Sequence, residues 1–316
     1  QDNNLYQMAY MFGYKPKVTT LATTEIDFYQ IVPSKLSGSE YVPDYDYALY
    51  VNANTQVSTR TGTPITFTIE DPIDFTVSSS DNPTKVSIAQ ISSGNPTQYL
   101  LKKTAKAFSG LINTTTVAVG APQDFLTVNI EGTDIAGIID IKDSDNTEYY
   151  EVDYLGQDLI FDGIKNTNIN DPDNYSAGND TPYILKTKQV QNRFTSRFIN
   201  DTTEEVIPNS FNVGIGLPFQ QSKLTAAYSP TNFVFTNTYG VAPSNTTLTI
   251  RYYTGGGTSS NILANTLTNV NTNTIQFIKG GLNSTLAATV FNSIATSNPI
   301  AASGGSDGDT IEEIRQ

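Results

Sequence analysis

The stretch Ile65-Thr66-Phe67-Thr68-Ile69-Glu70-Asp71-Pro72-Ile73-Asp74-Phe75-Thr76-Val77 decides the fold class. Apolar side chains occupy every second position on both sides of the Glu70-Asp71-Pro72 break, which is the period of a strand with one buried face. The β-branched and aromatic residues that fill those positions also suit a pleated surface. Working outward, the same period recurs at Ile26 and Phe28 and at Tyr45, Tyr47, Leu49 and Val51. Turn residues punctuate these runs at short intervals: Pro33, Gly38, Pro43, Gly62, Pro72, Asn82-Pro83 and Gly94-Asn95-Pro96. Short strands between regular turn signals predict a half-buried antiparallel sandwich or barrel.

Before this series, Leu5, Met8, Ala9 and Phe12 fall at helical spacing, with Gly13 where a helix stops and Pro16 beyond it. Residues 1–20 therefore read as a short helical opening segment and 21–109 as a first β domain. The segment Tyr99 to Phe108 loses the alternation and carries Lys102, Lys103 and Lys106, so it reads as a short helix or an edge strand at a boundary near Gly110. A second β domain follows over 110–207, with strands around Val128, Ile139 to Ile141, Tyr150 to Tyr154 and Phe161, a long polar loop from Ile164 to Pro182, and strands at Tyr183 to Val190 and Phe194 to Ile199. A last region, 208–316, adds strands at Phe233 to Phe235 and at Leu248, Ile250 and Tyr252. It ends on Asp309 as a helix cap with Glu312 three residues on and helix-forming residues to Arg315. So short a helix does not sustain itself, and the expectation is a native chain that continues. The class is mainly β, α+β overall once the short helices are counted, and multidomain. No fixed-period repeat is present.

The 316 residues correspond to about two average domains, enough for sizeable cores. The sequence has no Cys, His or Trp, which removes thiolate metal sites, thiol nucleophiles, imidazole bases and Ser-His-Asp chemistry. Eighteen basic against thirty-one acidic residues give a net charge of −13, so no direct nucleic-acid partner is expected. Charged residues make up 16% and are replaced by Asn, Thr, Ser and Gln, which predicts a polar but weakly charged surface. No apolar run approaches the roughly 18 residues of a membrane-spanning helix, so no membrane insertion is expected. The lack of cysteine argues weakly against an oxidising compartment, and the six Asn-x-Ser/Thr triplets are of the kind that an Asn- and Thr-rich chain generates by chance.

Several local patterns invite a chemical reading. Asp143-Ser144-Asp145-Asn146-Thr147-Glu148 resembles a calcium loop, but it lacks the EF-hand glycine and sits between two strands, where Asp and Asn make turns. Gly255-Gly256-Gly257 and Gly214-Ile215-Gly216 lack the spacing of phosphate-binding loops and read as tight turns or close backbone approaches. A carboxylate pair of glycosidase type is the one catalytic option left, and thirty-one acids place some pairs close in any fold. Lys186, Lys188, Arg193 and Arg197 form the densest basic stretch; a solvated strand face is preferred there over a defined interface.

The C-terminal third carries more than composition. Thr249-Ile250-Arg251-Tyr252-Tyr253-Thr254-Gly255-Gly256-Gly257, then Ser260-Asn261, then Asn298-Pro299-Ile300-Ala301-Ala302-Ser303-Gly304-Gly305-Ser306-Asp307-Gly308-Asp309 and the following Thr310 to Arg315, resembles the J-like baseplate family of contractile phage tails. The likeness is to the wedge proteins of T-even-like phages, supported by PNSFNVGIGLP at Pro208 to Pro218, SPTNFVF from Ser229, TYGVAPSNTTL up to Leu248, YMFGYKPK at Tyr10 to Lys17 and YYEVDYLGQD at Tyr149 to Asp158. Between Phe198 and Pro208 the chain departs from that pattern, which has a longer glycine-containing hairpin. The resemblance implies a structural subunit of the virion tail baseplate, assembled in the bacterial cytoplasm, and not a catalyst. No cofactor or metal is called for. The implied partners are a second copy of the chain, other wedge subunits and tail proteins. The motif residues it singles out are Gly255, Gly256, Gly257, Asn261, Asn298, Pro299, Gly304, Gly305, Asp307, Glu312 and Arg315, with roles in shaping turns and the lead-in to a helix. The rival reading, from Asn, Thr and Tyr content alone, is a phage or bacterial adhesin whose β domains bind glycan.

Overall fold

The computed structural model describes residues 2–60, 62–79, 82–123, 125–130, 135–165, 183–200, 209–215 and 240–316. In chain order these form α1 (Asp2–Met11), β1 (Thr23–Ser37), β2 (Glu40–Pro43), β3 (Leu49–Val51), β4 (Gln56–Thr59), β5 (Thr66–Ile69), β6 (Ile73–Asp74), β7 (Lys85–Ser92), β8 (Asn95–Ser109) and β9 (Leu111–Val119). The series continues with β10 (Thr127–Ile130), β11 (Ile135–Lys142), β12 (Glu148–Glu151), β13 (Leu159–Lys165), β14 (Tyr183–Gln189), β15 (Arg193–Asn200), β16 (Asn209–Ile215) and β17 (Thr246–Thr254). It closes with β18 (Leu267–Val270), β19 (Ile275–Phe277), α2 (Ser284–Asn292), β20 (Ala295–Ser297) and α3 (Ile311–Arg315). The chain is mainly β, with antiparallel sheets and few short helices. The expected strand at Phe233 to Phe235, the SPTNFVF segment and most of the Ile164 to Pro182 loop lie outside the described residues.

The chain divides into two compact units, and each is discontinuous. The first comprises residues 19–111 and 255–307, and the second comprises 1–18, 112–254 and 308–316. Consecutive domains over 1–20, 21–109, 110–207 and 208–316 therefore do not describe the compact units. The reason is long-range pairing: β20 closes on β1 with Asp27 opposite Ser297, and β18 closes on β4 with Leu267 opposite Thr59. Strand partners so far apart in the chain leave no mark on local periodicity.

In the first unit the main sheet runs β18-β4-β5-β8-β1-β2, with β20 also on β1 and β7 also on β8. A smaller sheet, β19-β3-β6, shares its core. Ile26, Phe28, Leu49, Val51, Phe67, Ile69, Ile73, Phe75 and Leu101 are all fully buried in it. The alternation of Ile65 to Val77 thus places its four central apolar residues inside. The break at Glu70-Asp71-Pro72 does not turn a hairpin, however: β5 pairs within the large sheet and β6 within the small one. Gln30, with no exposed surface, ties the two layers by donating to Tyr47 O at 2.7 Å and accepting from Leu49 N at 3.0 Å.

The segment Tyr99 to Phe108 is neither helix nor edge. It is the body of β8, a 15-residue strand paired with β1 from Thr23–Phe108 to Pro33–Gln98 and flanked on its other side by β5 and β7. Its inward positions run Tyr99, Leu101, Lys103, Ala105 and Ala107, so the alternation is intact but one core-facing site is a lysine. Lys103 is 5% exposed, and its ammonium donates to Asp74 O at 2.8 Å and Val77 O at 2.6 Å. Burial holds its pKa below the ordinary lysine value. A charge read as outward-facing hid the strand.

In the second unit a sheet runs β10-β16-β15-β12-β11-β17-β9, with a separate two-stranded ribbon of β13 and β14. Among the described residues β12 pairs with β15 in parallel, whereas β10 with β16, β11 with β12 and β17, and β15 with β16 pair antiparallel. Ile130, Ile135, Ile141, Phe194, Leu248 and Ile250 form the core, together with Tyr6 from α1. The helix was expected to dock through Leu5, Met8, Ala9 and Phe12, yet it buries Tyr6 and Ala9, while Met8 and Phe12 are exposed. The helix ends as expected at Gly13, whose φ of 82° lets Gly13 N reach Tyr10 O and Tyr14 N reach Ala9 O. Aligned across the β11 and β17 ladder, Arg251 grips Asp140 with both its Nε, at 2.7 Å, and its Nη2. That guanidinium holds the Asp140 carboxyl below the usual carboxylate range.

The acidic segment at 143–148 closes β11 onto β12 as a hairpin turn. Asp143 Oδ1 accepts from Asp145 N at 2.9 Å and Thr147 N at 2.8 Å, and Asn146 takes the left-handed conformation. Among the described residues, no group of three or more acidic side chains is placed to hold a metal ion.

Candidate functional site

Nine of the eleven motif residues fall in the first unit, where they assemble one junction around the start of β1. After β17 the chain passes Gly255, Gly256 and Gly257, all at positive φ (103°, 92° and 81°), a conformation that L side chains rarely adopt. The space is as restrictive as the torsions. A Cβ at Gly256 would stand 2.6 Å from Thr20 O, and one at Gly255 would stand 3.1 Å from Gly110 Cα. Gly257 N donates to the same Thr20 carbonyl at 3.1 Å.

The Ser303 to Asp307 strap lies against this glycine turn and the Thr20 to Thr23 backbone. Thr20 and Thr23 make isolated antiparallel bridges with Ser306 and Ser303. Gly305 fills a position where a Cβ would be 2.5 Å from Gly257 O and 3.2 Å from Asn261 Oδ1. Asn261 reads both sides of that glycine, accepting from Gly305 N at 3.0 Å and donating to Gly305 O at 2.7 Å. Asp307 locks the strap end: Oδ1 accepts from Thr258 N at 2.9 Å and Oδ2 from the Thr258 hydroxyl at 2.8 Å.

Asn298, with no exposed surface, organises the turn before the strap. Its Oδ1 accepts from Thr266 N at 2.9 Å and Leu267 N at 3.0 Å, and its Nδ2 donates to Leu263 O and Ile300 O, both at 2.9 Å. All four bonding positions of the amide are filled. Pro299 keeps Asn298 out of the helical region, which suits the extended path after β20.

Glu312 and Arg315 belong to the second unit. They lie on α3 and pair with each other at 2.5 Å, three residues apart on exposed helix. The cap of this helix is Thr310 and not Asp309: Thr310 N donates to Glu313 Oε2 at 2.8 Å and Glu313 N to Thr310 Oγ1 at 3.4 Å. Asp309 is otherwise engaged, accepting from Lys17 N at 2.8 Å and the Tyr14 hydroxyl at 2.6 Å. Burial pushes its pKa up, and the Lys17 and Tyr14 bonds outweigh this and leave it lowered.

The other sequence candidates separate in space. Arg193 is buried and donates to Leu155 O and Val190 O, both at 2.6 Å, whereas Lys188 lies 4.3 Å over the Tyr150 ring and Arg197 5.6 Å over the Tyr10 ring. The basic stretch is therefore not one solvated face. Gly214 is a strand residue of β16, facing Thr127 and Thr195 on its two neighbours, and not a turn. Missed by the sequence reading were Thr20 and Thr258, whose hydroxyls and main-chain groups complete the junction; isolated threonines in a Thr-rich chain give no signal.

The chemistry of the junction is structural. The amides of Asn261 and Asn298 are turned onto main chain, and the Asp307 carboxylate onto Thr258. The Thr258 N–H and then its hydroxyl hold the Asp307 pKa below the usual carboxylate value. A group with a depressed folded pKa stabilises the fold above its unfolded value and loses that contribution as pH falls through the folded one. Asp307→Asn is therefore expected to melt below the parent at pH 7, with the gap closing as pH falls below about 4. Thermal melts of both proteins from pH 7 to pH 3 check this, and a gap independent of pH would count against it.

No protein-family model matches the chain, and no curated protein sequence matches it either.

Proposed function

We propose that this chain is a structural subunit of a contractile phage tail baseplate, of the wedge class, which acts by association with a second copy of itself and with other wedge and tail proteins. The observation that carries the reading is the junction of Gly255 to Gly257, Asn261, Asn298 and Gly304 to Asp307. Nine of the eleven residues singled out by the family resemblance lie in this junction, where torsions and side-chain bonds fix a main-chain path. A second feature suits assembly: all eight residues of β7 are exposed at a sheet edge, where a neighbouring chain can add a strand. In this role the units would move as bodies when the tail contracts, with change confined to interfaces.

The test is recovery of the tagged full chain from phage-infected cells, with the stoichiometry of what accompanies it. Recovery in fixed ratio with virion tail proteins and with an untagged second copy is the expected result. Recovery of the chain alone, or with surface polysaccharide and no tail protein, overturns the assignment.

A further inference from the structure

We propose that the second unit carries a binding cleft for an anionic saccharide, of the uronic or sialic acid type, a function independent of the assembly reading. The cleft has a volume of about 370 Å³ and opens between the end of α1, the turn after β12 and β15. That is within the usual range for a small-molecule site. Its walls are aromatic and polar, with Leu155 as the one aliphatic side chain.

Two of the tyrosine rings that line it are substantially exposed, Tyr14 at 41% and Tyr154 at 64%. Exposed rings of this kind can serve as platforms for the C–H face of a pyranose, and the polar side chains among the lining disfavour a purely apolar ligand. One of the two is tethered. Tyr14 is anchored through its hydroxyl to Asp309 at 2.6 Å.

Charge selects the ligand. Lys15 and Arg197 both line the cleft, and neither makes a salt bridge among the described residues. Two cations in one cleft stand out in a chain of net charge −13. The Arg197 guanidinium lies 5.6 Å from the Tyr10 ring centroid, which orients its fork while leaving its N–H groups for a carboxylate. Asp153, likewise outside any salt bridge, and the Thr195 hydroxyl supply acceptors for sugar hydroxyls. A carboxylate, hydroxyls and a flat C–H face occur together in an acidic sugar.

The test is ligand-observed NMR titration of the full chain with glucuronate, glucose and N-acetylglutamate amide. Saturable binding of glucuronate with Kd about 1 mM, and roughly tenfold weaker binding of glucose, is expected. Arg197→Gln and Tyr154→Ala should each weaken glucuronate binding roughly tenfold with an unchanged melting temperature, since both side chains are exposed; Lys15→Gln serves if either fails to fold. Absence of saturable glucuronate binding overturns the proposal, as does equal affinity for glucose. Equal affinity for N-acetylglutamate amide also overturns it, in favour of an acidic peptide. None of these outcomes touches the recovery experiment above, so the two readings fail separately.

Discussion

Asn298→Ala is expected to destabilise the first unit by about 3–5 kcal/mol, lowering its melting transition by roughly 10 °C. The cost follows from what each partner retains. Leu263 O still accepts from the Thr266 hydroxyl at 2.8 Å, and Ile300 O from the Thr24 hydroxyl at 3.1 Å, so the carbonyls keep a bond each. The main-chain N–H groups of Thr266 and Leu267 have no such substitute and are left without an acceptor where β18 begins. A buried unsatisfied donor costs about 1–3 kcal/mol, and the lost side-chain volume adds to the two. Asn298→Asp distinguishes lost bonds from lost volume. It restores the acceptor for both N–H groups but sets a carboxylate against two carbonyls, so its folded pKa is raised. A raised pKa stabilises fully below the unfolded value and is lost as pH climbs, so this variant should approach the parent at pH 3 and fall away from it toward pH 7. Equal losses for both variants at every pH would show that volume, not hydrogen bonding, explains Asn298.

This residue also marks the limit of what the chain discloses. An Asn-Pro pair reads as a turn, and a turn is present, but nothing local says that the amide is fully buried or that it reaches back to residues 263–267. The strand content was legible because alternation is a local property: Phe67, Ile69, Ile73 and Phe75 are buried as the period requires. Which sheet each strand joins was not, since β5 and β6 are separated by three residues and enter different sheets. Lys103 shows the opposite failure, in which a charged residue at a core-facing position erased a real alternation. Asp309 shows how a tertiary bond displaces a local rule: with its carboxylate held by Lys17 and Tyr14, the capping role passes to Thr310.

Gly256→Ala should cost about 3–4 kcal/mol, and its interest lies in a control that separates two causes. Gly281 has φ of 74° with no atom within 4 Å of where a Cβ would stand, so Gly281→Ala meets torsional strain alone, about 1–2 kcal/mol. Gly256, at φ of 92°, meets similar strain and a collision as well, with Thr20 O at 2.6 Å and Leu21 Cδ2 at 3.1 Å. Relief by moving Thr20 O is blocked from three sides: that carbonyl accepts from Gly257 N at 3.1 Å, Thr20 N donates to Ser306 O at 2.9 Å, and the Thr20 hydroxyl donates to Gly304 O at 2.7 Å. The excess of Gly256→Ala over Gly281→Ala, read from paired denaturant titrations, therefore measures how rigidly the strap is held. An excess near 2 kcal/mol means a junction that keeps its path under load, as the proposed assembly role would require. No excess would mean that the strap yields, and the glycine run would then be explained by its torsions alone.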